Sequence, residues 1–200
     1  PTVYDVAHLT GLPILGLEIS ALLEPIKVPF TLQIDLSYTE FTKKYKGKPS
    51  SAVTDQERAA FYLIWLCQFL ICVLGYKITK EYLPLALRLQ DGQAMALASY
   101  LLATLYNGMF SFVDKKISGY CGGPFWFFQA WLYAYFPETQ PAKPNTMIPK
   151  HYSYAECLLT FVDKRTLSSL NALLHSSTFN LTETPYCSCH FNHLDSHLLE

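Results

Sequence analysis

The chain has 200 residues, of which 50% are hydrophobic and only 16% charged, and its net charge is −1. This suits one domain with a dense core, and it argues against a strong non-specific nucleic-acid binder, which needs a basic excess to neutralise phosphates. A membrane span is also excluded: Gln68 interrupts the run Phe61 to Leu74, Gln129 interrupts Phe125 to Phe136, and neither reaches the roughly 20 apolar residues a span requires.

In chain order, Thr2 is placed to cap a short helix through Thr10, which Gly11 stops and Pro13 keeps from continuing. Residues 14–24 read as a loop or short strand followed by a helical turn. Val28 to Leu36 alternates as a strand does, after Pro29 has broken any helix. Ser37 and Glu40 have the spacing of a capping box, opening a helix that ends near Gly47. Thr54 and Glu57 form a second such box, followed by an apolar helix running to Gly75. That helix is apolar nearly all round from Phe61 onward, which predicts a position at the centre of a bundle.

A further helix precedes Asp91-Gly92, with Pro84 at a break or first turn. Ala94 to Phe110 reads as helix, with Asn107-Gly108 near its end. Gly122-Gly123-Pro124 opens an aromatic helix through Phe136, which Pro137 closes. A proline-rich internal loop covers 138–150, and two more helices are expected at about Ser153 to Phe161 and Lys164 to His175. The predicted fold is mainly α: one helical-bundle-like domain over 1–200, with at most a small β element near the N-terminus. The missing initiator Met makes the chain read as a piece of a longer protein.

The chemistry-bearing residues are few. Six scattered cysteines do not form the framework of a small secreted scaffold, and read as free thiols of a reducing compartment. The tail residues Cys187, Cys189, His190 and His193 are of the types zinc prefers. One residue separates the cysteines, however, where structural sites use two to four, so a His-rich surface or an edge of the core is the favoured reading and no metal is expected. No nucleophile elbow, papain-like cysteine setting or phosphate-binding glycine loop occurs. The chain is therefore read as non-catalytic. A helix followed by Gly11 resembles half of a helix-turn-helix, but the apolar, acidic residues 14–18 lack recognition-helix chemistry.

Two surfaces stand out. Lys43, Lys44, Lys46 and Lys48 interleave with Tyr45 and could meet phosphate or bases; a solvated loop is the plainer reading. Trp126, Trp131 and Tyr135 belong to an aromatic helix too densely covered for a one-sided stripe. Core packing accounts for most of its rings, and an interface, where aromatics are enriched, for the rest.

The order of several short segments resembles the plant mobile domain. They are Asp5-Val6-Ala7 with Leu9-Thr10-Gly11-Leu12-Pro13 and Gly16, then Ala60-Phe61-Tyr62-Leu63-Ile64-Trp65-Leu66. Tyr82-Leu83-Pro84-Leu85-Ala86 follows, then Leu101-Leu102-Ala103-Thr104-Leu105-Tyr106, then Gly122-Gly123-Pro124 through Trp131 to Phe136-Pro137. The resemblance runs from about Val3 to Pro137 and continues more weakly beyond. It implies a domain of transposable elements and of domesticated plant proteins. The latter are nuclear and linked to transposon silencing and gene expression.

The resemblance also implies a protein partner, such as a phosphatase-like protein of the PP7 type or a chromatin factor, with no catalytic residues to carry over. The family is sometimes labelled aminotransferase-like. Lys77, Lys80, Lys115 and Lys116 nevertheless lie in polar contexts, whereas a Schiff-base lysine is generally desolvated, so no cofactor is expected. The alternative is a transposon-derived nucleic-acid-binding module, DNA or RNA, in which Lys43, Lys44, Lys46 and Lys48 join Lys77, Lys80 or Lys115 and Lys116 in one basic face.

Overall fold

The computed structural model describes residues 1–19, 31–34, 36–48, 50–75, 77–114 and 122–139. Among these the chain is mostly helical, with α1 (Val3–Thr10), α2 (Tyr38–Tyr45), α3 (Asp55–Trp65), α4 (Leu83–Gln90), α5 (Leu97–Asp114) and α6 (Phe125–Tyr135). The predicted helices 153–161 and 164–175, and the loop from 140 to 150, lie outside the described residues. The contacts group into two compact units, one comprising Pro1–Ala7 and Gly11–Phe125, the other His8–Thr10 and Trp126–Glu200.

Local chemistry sets the helix starts. The Thr2 hydroxyl accepts the Asp5 N–H, and the Asp5 carboxylate accepts the Thr2 N–H at 2.6 Å, a reciprocal box on α1. Gly11 closes α1 in the left-handed conformation at φ 71°, which costs a residue without a side chain nothing. Ser37 and Glu40 make the same box on α2, whose last turn carries Lys43 and Lys44, opposite in sign to that end of the helix dipole. Thr54 caps α3 by accepting the Glu57 N–H at 3.1 Å. The second box is only half made, because the Glu57 carboxylate turns away to the N–H of Gly47.

Within the first unit α3 packs against α4 and α2 packs against α3. The buried stripe of α3 and its extension is Ala59, Leu63, Leu66, Cys67 and Leu70, a helical spacing. Each fully buried leucine contributes roughly 1.5–3 kcal/mol. The single helix expected up to Gly75 is not formed. At Leu66 the backbone widens into a π turn ending at Leu70. There Ile71 N–H donates to Leu66 C=O at 2.8 Å and the Tyr38 hydroxyl donates to Cys67 C=O at 3.0 Å. Cys72 then ends the run at φ 53°.

Nor is α3 surrounded on all sides. Phe61 is 61% and Phe69 52% exposed, while Tyr62, Ile64 and Trp65 are half-buried and Ala60 is buried.

The strand expected over 28–36 is also absent from its described part. Residues 31–34 and 36 form no ladder, and pairing is confined to an isolated antiparallel bridge between Ser37 and Lys77, with Ile78 N–H donating to Leu36 C=O at 3.3 Å. A second bridge, parallel, joins Leu17 to Met95. It takes Ala94 to Ala96 out of the expected helix and delays the start of α5 to Leu97. Gly16 makes this approach possible: at φ 139°, a Cβ there would lie 2.6 Å from Met95 N and 2.7 Å from Ala94 C.

Gly108 does not mark the end of α5, which continues to Asp114. Its missing side chain instead leaves space for the carbonyl of Gly122, which a Cβ would meet at 2.6 Å. Pro84 sits in the first turn of α4 as expected.

In the second unit, α6 buries Phe127, Ala130, Tyr133 and Ala134. Its chain leads into a 3₁₀ turn at Pro137–Thr139, where the buried Thr139 hydroxyl donates to Phe136 C=O at 2.7 Å.

Candidate interaction surface

The connection between α2 and α3 carries the lysines singled out from the sequence. Lys43, Lys44, Lys46 and Lys48 are all exposed. Lys44 donates to Gln33 Oε1 and lies 5.7 Å from the centre of the Tyr45 ring, while the Tyr45 hydroxyl accepts the Gln33 N–H at 2.5 Å. Lys46 and Lys48 make no side-chain ion pair among the described residues. Glu57 fixes the loop by accepting the Gly47 N–H at 2.8 Å.

Beside these lysines α2 and α3 leave an open groove of about 160 Å³, lined by Phe41, Thr42, Tyr45, Lys46, Glu57, Ala60, Phe61 and Ile64. Phe41 and Ala60 are buried and form its apolar base, and the Phe41 and Tyr45 rings sit 4.7 Å apart. On α3 the lining positions Glu57, Phe61 and Ile64 follow the i, i+4, i+7 spacing of one helix face, distinct from the stripe that meets α4. Sequence reasoning assigned that face to the core. The signal available was that α3 is apolar nearly all round from Phe61, more than its packing on α2 and α4 covers.

Lys77 lies elsewhere. Its bridge to Ser37 places it at the start of α2, roughly 13 Å along the helix axis from Lys46. Lys80 is exposed in the 3₁₀ turn before α4. Lys115 and Lys116 lie outside the described residues, as do Cys187, Cys189, His190 and His193. Among the described residues no group of three or more His, Cys, Asp or Glu is placed to hold a metal, and no helix is long and apolar enough to cross a membrane.

On α5 the outward face carries a second apolar surface. Tyr106 is 47%, Phe110 71% and Val113 76% exposed, and their spacing of four and three puts them on one stripe. By contrast, Trp126, Trp131 and Tyr135 on α6 are half-buried. Trp131 stacks on Phe128 at 5.7 Å and lies 5.0 Å from Tyr135 and 6.1 Å from Phe136, while Trp126 meets Phe127 edge-on. The buried Trp131 Nε1 has no hydrogen-bond partner among the described residues.

A set of weakly acidic groups is gathered inside the first unit. Burial raises the Cys67 thiol above its ordinary pKa, against the lowering effect of the Thr79 backbone N–H. Burial and then neighbouring Glu81 and Cys67 raise Tyr82. Tyr100 is pushed up to about 12 by burial, helped by Tyr82, Cys67 and Glu81. A thiol held protonated is a packing group, since the thiolate is the reactive form.

The sequence pattern that defines the plant mobile domain matches residues 1–198. The chain belongs to the plant mobile domain family. The domain is thereby transposon-associated, and the match extends past Pro137, where the short motifs alone were faint. No curated protein and no solved structure matches the chain. For this plant mobile domain, function must be read from its own surfaces.

Proposed function

We infer that this plant mobile domain is a non-catalytic interaction module of the nucleus. It acts in transposable-element silencing and gene-expression control through protein partners, of which a phosphatase-like protein of the PP7 type or a chromatin factor is the kind expected. The observation that carries this reading is the α5 stripe, where Tyr106, Phe110 and Val113 face solvent together. Exposed aliphatic and aromatic side chains in a contiguous row cost hydration free energy that a partner recovers. Aromatic residues are also the usual anchors of protein interfaces.

The test is affinity capture from plant nuclei, comparing the wild-type domain with a Tyr106→Ser, Phe110→Ser, Val113→Ser variant. A partner retained by the first and lost by the second supports the reading. Recovery of no specific protein by either ends it.

A nucleic-acid-binding module is the second reading, and the exposure of Lys43, Lys44, Lys46 and Lys48 beside Tyr45 favours it. Salt-titrated binding of DNA and RNA decides this, because phosphate contacts weaken steeply as salt rises. No affinity at low salt eliminates it.

A further inference from the structure

We draw no further inference here: the strongest candidate, the open groove between α2 and α3 whose lining sets Lys46 and Glu57 beside Phe41, Tyr45, Phe61 and Ile64, carries none, because one lysine and one glutamate select no charge in an occupant, the aromatic lining suits a nucleobase as well as a protein side chain, and nothing in the structure shows what covers it.

Discussion

The carboxylate of Glu57 on α3 accepts the backbone N–H of Gly47 at 2.8 Å, tying the lysine-bearing loop to the helix that forms the opposite wall of the groove. Removing either end should undo the same tie. In Glu57→Ala the N–H loses its acceptor. In Gly47→Ala the new Cβ overlaps the carboxylate, which swings away because it ends a flexible side chain. Each substitution should cost about 1.5 kcal/mol, at the low end for a hydrogen bond to a charged group because this one is only half-buried. The double variant should cost little more than either single one, and urea midpoints of the four proteins measure this coupling.

Gly16→Ala should behave differently. Its Cβ meets the backbone of Ala94 and Met95, which cannot yield as a side-chain tip can, and φ 139° disfavours any L residue. A loss of roughly 2–4 kcal/mol is expected from the clash and the backbone strain together. Chemical denaturation gives the value, and faster exchange of the Leu17 and Ala96 amides would locate it at the bridge.

At α2 the Ser37 hydroxyl and then its backbone N–H hold the Glu40 carboxylate below its ordinary pKa. The sign follows: this contribution is present above the unfolded carboxylate pKa and is lost as pH falls through the lowered value in the folded chain. Ser37→Ala should cost about 1 kcal/mol at neutral pH, as for other N-caps. It should also move the Glu40 titration upward, which carbon-detected NMR across acidic pH would record.

Tyr100 sets an alkaline limit. Its pKa is raised from 10.0 to about 12, first by burial. The unfolded chain therefore gives up this proton before the folded one does. Stability is intact below pH 10 and falls as pH rises from about 10 through about 12. In Tyr100→Phe the decline across that window should be shallower. Urea midpoints at pH 9 and pH 11 for both proteins check this, and the difference in their absorbance titrations near 295 nm should centre near pH 12.

The two cysteines described structurally should react at different rates. Cys67 is buried and its thiol is raised by that burial, whereas Cys72 is half-buried at the end of the π turn. Under native conditions iodoacetamide should label Cys72 first, with Cys67 protected until the chain unfolds. Peptide mapping by mass spectrometry separates these two from the other cysteines. Equal rates would contradict the placement of Cys67.

Much of the fold was legible because it is decided locally. Thr2, Ser37 and Thr54 satisfy backbone donors within three residues of themselves, and Gly11 and Pro84 act on their own backbone, so adjacent residues suffice to place these boundaries. The family was legible too, in the order of motifs from Asp5 to Pro137. The groove was not. An apolar residue such as Phe61 carries no mark of whether its face will be covered, and Glu57 had two donors within reach, one of them ten residues back.

What the sequence by itself determined is therefore the helices, their caps and the membership of the family, all properties of neighbouring residues or of motif order. Only the tertiary structure decided that α3 buries one stripe and leaves Phe61 facing solvent. It also decided that the helix widens into a π turn where the Tyr38 hydroxyl meets Cys67 C=O, and that Gly47 takes the carboxylate of Glu57. Each of these depends on which distant group wins a donor or covers a face, and that competition is settled only when the elements pack.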